Sequence, residues 1–134
     1  MKILIVEDDY AGRILMERYL SDYGTCDLVD DGQEALDAYR SALDSDDPYQ
    51  MIMLDIMLPS LNGQDILRSI RETEKKRGIH PADFVKVIIT SALGDPKNIV
   101  QAFNEGGADS YLVKPINRKT LHGELEKLGF YPDE

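Results

Sequence analysis

Asp55 stands at the end of an apolar run, Met51 to Leu54, and three more apolar residues follow before a Pro/Asn/Gly turn. The stretch MIMLDIMLPSLNG therefore delivers one carboxylate to the end of a buried strand. Other short apolar runs end in a similar way. Lys2 to Val6 breaks at Glu7-Asp8-Asp9, Phe84 to Thr90 delivers the hydroxyls of Thr90 and Ser91, and Ala108 to Val113 ends on Lys114-Pro115. Carboxylates gathered within a few ångströms repel, and leaving them ionised requires a cation. A small set of hard oxygen ligands suits Mg²⁺, which takes one or two carboxylates and keeps several waters. Beside such an ion Asp55 can attack a phosphorus centre, the Lys114 ammonium can hold the equatorial charge, and the Ser91 hydroxyl can bond a phosphoryl oxygen.

Each of these groups taken alone has a plainer use. An acid after a strand is often the N-cap of the next helix, a Thr-Ser pair is often turn chemistry, and a lysine is often a surface charge. Their joint placement carries the argument, because open parallel sheets bind ligands outside the carboxyl ends of their strands, where the strand order reverses.

The elements that must position these residues follow from periodicity and punctuation. Strands are expected at Lys2 to Val6, Thr25 to Val29, Met51 to Leu54, Phe84 to Thr90 and Ala108 to Val113. Between them run helical patterns. Ala11, Ile14, Leu15 and Tyr19 form one face within Tyr10 to Tyr23, with Gly24 at its end, and Asp31 with Glu34 resembles a capping box for the next helix. Asn62 caps a third helix whose charged end, Arg71 to Arg77, reads as solvated. Asp95-Pro96 opens a fourth that carries Ile99, Val100 and Phe103 and stops at Gly106-Gly107, and Asn117 caps a fifth with Leu121, Leu125 and Leu128. Strands alternating with helices through short linkers predict an α/β fold, a parallel sheet covered on both faces by right-handed crossovers.

Composition narrows the class. A chain of 134 residues has the size of one domain, and no apolar run approaches the roughly 18 residues of a membrane span. The first apolar run meets acids after four residues, too soon for a signal peptide, which leads to the expectation of a soluble cytoplasmic protein. A formal charge of −10 speaks against nucleic-acid binding and for protein partners. The single cysteine, Cys26, has no internal disulfide partner and reads as a small core residue.

At this point the chain resembles a two-component response-regulator receiver domain of the chemotaxis, single-domain kind. The resemblance spans Lys2 to about Leu128 and rests on KILIVEDD, LDIMLPSLNGQDIL, IITSAL and GGADSYLVKPI in that order. It implies a flavodoxin-like (βα)5 three-layer sandwich with strand order 2-1-3-4-5, a receiver domain over 1–129, and a short tail, 130–134, with no output domain. Glu7 and Asp8 resemble the pair that holds Mg²⁺, with Asp9 flanking it, and Asp55 resembles the aspartate phosphorylated by a histidine kinase. Met57 would offer its backbone carbonyl to the metal. Lys114 resembles the phosphate-binding lysine, and Pro115 the proline that follows it, often through a cis bond. Tyr111 resembles the switch aromatic. Ser91-Ala92 matches the hydroxyl-Ala step when counted from Phe103, which favours Ser91 over Thr90, although the glycine pair at Gly106-Gly107 disturbs the count from Lys114.

The resemblance further implies that a sensor histidine kinase or histidine phosphotransfer protein donates the phosphoryl group, catalysis of that transfer residing in the receiver itself. Ser91 and Tyr111 then move to switch a face made by the fourth helix, fifth strand and fifth helix for a downstream protein. Met57 and Leu93 are apolar where water would be oriented, so self-dephosphorylation is expected to be slow. A homodimer through the last strand and helix is a further expectation, and no direct nucleic-acid contact or membrane insertion is expected. The rival readings are an interaction module that is not phosphorylated and a Mg²⁺-dependent phosphotransferase of haloacid-dehalogenase type, whose second aspartate is missing at Met57. A flavodoxin-like electron carrier lacks its hydroxyl-rich loop at Glu7-Asp8-Asp9.

Overall fold

Short runs of Val, Ile, Leu and Met that are apolar on both faces become strands buried on both faces. The computed structural model describes residues 1–58, 62–92, 97, 100 and 107–133, and its strands are β1 (Lys2–Val6), β2 (Thr25–Val29), β3 (Met51–Asp55), β4 (Lys86–Ser91) and β5 (Ser110–Val113). All neighbours pair in parallel, in the order β2-β1-β3-β4-β5. The expected strand order and layer architecture are observed.

The helices are α1 (Tyr10–Leu20), α2 (Gly32–Asp44), α3 (Gly63–Lys76) and α4 (Arg118–Lys127). Asp9, Asp31, Asn62 and Asn117 cap them, each side chain accepting a backbone N–H of the first turn. Here α4 is the fifth helix expected from the sequence. The fourth expected one lies outside the described residues apart from Lys97 and Val100, which are helical and exposed, and Gly107. Among the described residues no helix is long and apolar enough to cross a membrane.

Two-residue alternation sorts the strand side chains. Leu4, Ile52, Leu54, Val87 and Ile89 pack under α2 and α3, whereas Ile3, Ile5, Met51, Met53, Ile88 and Leu112 pack under α1 and α4. The same alternation continues in the second set with Asp55 and Thr90 at the ends of β3 and β4, and with Glu7 and Lys114 just past the ends of β1 and β5. One side of one sheet edge thereby receives most of the residues singled out above.

Within Arg71 to Arg77 the expected solvation holds for Glu72 and for Lys75 to Arg77 but not for Arg71 and Glu74. Glu74 is fully buried and Arg71 is 9% exposed. Arg71 Nη1 donates to Glu74 Oε1 at 2.7 Å and to Val85 O at 2.9 Å, and Nη2 donates to Gly107 O at 2.8 Å and to Asp109 Oδ2 at 3.0 Å. Val85 N–H in turn donates to Glu74 Oε2, and Val87 N–H to Asp109 Oδ2. These charges are inside because α3 lies against the entrances of β4 and β5, whose backbone groups need partners there. The same contacts delay both strands relative to expectation: β4 starts at Lys86 rather than Phe84, and β5 at Ser110 rather than Ala108. Gly107 adopts φ +76°, which favours glycine, and a Cβ there would stand 3.2 Å from Arg71 Nε, so a larger residue would also press on the guanidinium.

At the other end of the chain Phe130 packs against the α1/α4 core and Asp133 N–H donates to Asp22 O, which folds the expected tail back onto the domain. Cys26 is half-buried on edge strand β2 and packs against the same core.

Candidate functional site: an acidic pocket closed by a lysine

The floor of the site is set by backbone pairing. Asp55 stands opposite Thr90 in the β3/β4 register, Ile56 N–H donates to Thr90 O at 3.0 Å, and Lys114 N–H donates to Ser91 O at 2.7 Å. The end of β4 thus holds the chain on either side. Gly63, the first residue of α3, lies so close to the chain leaving β3 that a Cβ would sit 2.6 Å from Ile56 Cα and 2.8 Å from Asp55 O. Only glycine lets α3 start there.

On this floor Lys114 Nζ donates to Glu7 Oε1 at 2.5 Å and to Asp55 Oδ2 at 2.9 Å. Both carboxylates are buried, and Asp55 Oδ1 also accepts from Met57 N–H at 2.9 Å. Two buried acids share one ammonium, which leaves one negative charge unbalanced. Burial is the main cause that pushes the Glu7 carboxyl up to about 7, and the neighbouring Asp55 adds to it against the opposing pull of Lys114. For Lys114 burial works against the charged form, but Glu7 and Asp55 together outweigh it and hold the ammonium above the ordinary lysine range.

A folded-state pKa near 7 against a usual 4.5 means that the folded chain holds the Glu7 proton more tightly than the unfolded chain. Its contribution to stability is complete below pH 4.5 and is lost as pH rises through about 7, an effect on the order of 3 kcal/mol. Urea denaturation in chelator should therefore show stability falling between these values. An added divalent cation should flatten that fall by supplying the missing countercharge.

The donor set fits such a cation. Glu7, Asp8 and Asp55 each bring a carboxylate oxygen within 4.8 Å of the others. Among the described residues Glu7 Oε2 is buried with no hydrogen-bond partner. Asp9 stays outside the cluster, because its carboxylate accepts Gly12 N–H at 2.9 Å as the cap of α1. A second acidic group, Asp30, Asp31 and Glu34, is largely exposed, and Asp31 there serves as the cap of α2.

Gly12 explains how a glutamate fits where space is short. A Cβ at that position would stand 2.9 Å from Glu7 Oε1 and 3.1 Å from Asp9 Oδ2. Nothing in the periodicity of α1 marks this glycine as part of the site, since its use appears only when β1 and α1 are packed together.

The remaining candidates take distinct places. Thr90 lines a cavity of about 290 Å³ together with Glu7, Met53, Lys114 and Ile116. Ser91 alternates to the other side of the strand and is wholly buried, and its Oγ has no partner among the described residues. Tyr111 on β5 is 44% exposed, and the Met57 side chain is 60% exposed. The Lys114-Pro115 bond is cis. Leu93 lies outside the described residues.

Comparison with known proteins agrees with this arrangement. A family model described as the response regulator receiver domain matches residues 3–126. The transcriptional regulatory protein CusR of Escherichia coli K12 is 39% identical over 117 residues, which are 87% of this chain and 45% of CusR. The chain thus spans about half the length of the curated relatives it matches. Among solved structures, the receiver domain of Saccharomyces cerevisiae Ssk1, crystallised with the histidine phosphotransfer protein Ypd1, superposes with a TM-score of 0.80 at 25% identity, covering 94% of this chain and 87% of that one. The BeF3-activated receiver domain of DrrB from Thermotoga maritima superposes at 0.73 with 27% identity, covering 94% of each chain. The chain belongs to the response-regulator receiver domain family of two-component signalling systems.

Proposed function

We propose that Asp55 is the phosphoryl acceptor of this receiver, and the observation that carries the reading is the single ammonium of Lys114 bonded to both Glu7 and Asp55 in a buried pocket. Glu7, Asp8, Asp55 and the Met57 carbonyl would hold Mg²⁺, which supplies countercharge to the acids and to a phosphoryl group. The donor is a phosphohistidine on a histidine kinase or phosphotransfer protein, a pairing supported by the complex of the Ssk1 receiver domain with the histidine phosphotransfer protein Ypd1. A carboxylate oxygen of Asp55 forms the new bond to phosphorus, the phosphorus–nitrogen bond breaks, and the nitrogen lone pair returns to the imidazole. Lys114 holds the negative oxygens of the transferred group, and Met57 N–H fixes the rotation of the carboxylate.

The test is incubation with acetyl phosphate and Mg²⁺ followed by intact mass. The wild-type chain should gain one phosphoryl group and Asp55→Asn none. A gain that persists in the variant excludes Asp55, and no gain in either protein favours an unphosphorylated interaction module.

Charge added at Asp55 then needs a hydrogen-bond donor, and the Ser91 hydroxyl, which has no partner among the described residues and lies one residue past the register partner of Asp55, supplies it. Its movement lets Tyr111 turn inward on β5, which alters the surface that β5 and α4 offer a downstream protein. Ser91→Ala should accept phosphate normally yet show the same partner affinity with and without it, measured by pull-down with the phosphorylated chain. Loss of coupling in Thr90→Val but not in Ser91→Ala would assign the switch to Thr90.

A further inference from the structure

Three consecutive carbonyls at the turn from β1 into α1 are gathered by one residue. The backbone N–H of Arg13 donates to Asp9 O at 2.9 Å, and its guanidinium Nη1 donates to Glu7 O at 2.9 Å and to Asp8 O at 3.1 Å. Glu7 and Asp8 lie between the last residue of β1 and the cap of α1, and Glu7 N–H is still tied to the sheet through Val29 O at 3.2 Å, whereas the carbonyls of both residues have left the ladder. Their carbonyl directions are set by backbone dihedrals that neither element fixes.

We propose that Arg13 is the positioning residue for the cation-binding acids. It clamps the peptide planes on the carboxyl side of Glu7 and Asp8 so that both side chains project toward Asp55. The inference rests on the assignment of Glu7, Asp8 and Asp55 to Mg²⁺. Rotation about φ at either residue swings its carbonyl and its Cβ together, so a donor that holds both carbonyls restricts the directions in which both side chains leave the backbone. A guanidinium suits the task because its charge is independent of pH and its N–H groups are held in one plane. Arg13 is itself steadied on its other side by the Tyr10 ring, whose centroid lies 5.6 Å from Cζ.

The first turn of α1 is a poor helix start by the usual rules. It has no acidic residue, it carries a glycine, and it places a cation near the positive end of the helix dipole. Each departure is explained by the acids next to it. Asp9 caps the helix, Gly12 leaves room for the Glu7 carboxylate, and Arg13 closes on the carbonyls of Glu7 and Asp8. The local sequence serves the loop at the expense of the helix.

The sign of one measurement separates positioning from charge. Removing a cation beside an acidic site should by Coulomb's law alone tighten Mg²⁺ binding, whereas loss of a clamp should weaken it by about 10–100-fold, the scale seen when groups that orient metal ligands are removed. Mg²⁺ dissociation constants are measured by calorimetry for the wild type, Arg13→Ala, Arg13→Lys and, as a control for charge on the exposed side of the same helix, Arg18→Ala. Urea denaturation of each protein reports its fold.

Arg13→Ala should bind Mg²⁺ about 10–100-fold more weakly, Arg13→Lys should fall between it and the wild type, and Arg18→Ala should match the wild type or bind more tightly. Where Arg13→Ala fails to fold, Arg13→Gln takes its place with the same expectation. Wild-type or tighter affinity in the Ala or Gln variant overturns the proposal. A wild-type chain that does not bind Mg²⁺ overturns instead the assignment of the three acids.

Discussion

Asp55→Asn should take up no phosphoryl group and should, in the absence of metal, be the more stable protein at neutral pH. The first half follows from chemistry, since the amide has no anionic oxygen with which to attack phosphorus. The second half follows from the charge count in the pocket. Glu7 and Asp55 are both buried and share the one Lys114 ammonium, so the metal-free site carries an unbalanced charge.

An asparagine keeps an oxygen that can accept Met57 N–H, and Lys114 retains its shorter bond, to Glu7. The remaining acid and ammonium then balance. Asp55 is one of the causes that raise the Glu7 pKa, so its neutralisation should also bring that value down and flatten the fall in stability between pH 4.5 and about 7. A gain of about 1–2 kcal/mol at pH 8 in chelator is expected, read from urea denaturation beside the mass measurement. Equal or lower stability in the variant would mean that the two carboxylates do not strain the native fold. The proposed phosphoryl acceptor is then a group that the fold alone would be better without.

Arg71→Ala should have the largest effect on stability, about 3–5 kcal/mol. The guanidinium serves Glu74, Asp109 and the carbonyls of Val85 and Gly107, and the alanine leaves all of them without that donor. Glu74 is fully buried, so its charge would lose its ion-pair partner with no water to replace it. Glu74 cannot simply be dispensed with in compensation, because Val85 N–H depends on its other oxygen. Against a typical native stability of about 5–15 kcal/mol such a loss removes a large share of the total. A urea midpoint within experimental error of the wild type would show that the cluster is solvated after all.

The parts of the fold that could be read from the chain are those decided locally. Apolar run length and turn residues placed β3 and Asp55, and short-range capping chemistry placed the starts of α2, α3 and α4 at Asp31, Asn62 and Asn117. What could not be read depends on groups distant in sequence. Arg71 and Glu74 look like ordinary solvated charges three residues apart on a helix, and only the strand entrances packed beneath α3 turn them inward. Thr90 and Ser91 differ by one position, and the cross-strand register assigns one to the cavity and the other to the opposite side of β4. Gly12 and Arg13 were silent for the same reason, since their partners belong to the turn before the helix rather than to its apolar face.

The acids and the lysine of the pocket come from three separate stretches, around residues 7, 55 and 114, and Lys114 and Glu7 are 107 positions apart along the chain. No hairpin or single βα unit contains the pocket. It closes only after β1, β3, β4 and β5 have all found their neighbours, the slow, non-local part of folding for a parallel sheet. A chain still on the ribosome, or one stalled as a partly folded species, has the aspartate but not its surroundings. Competence to receive the signal is therefore withheld until folding is complete, and the receiver answers only as a finished molecule.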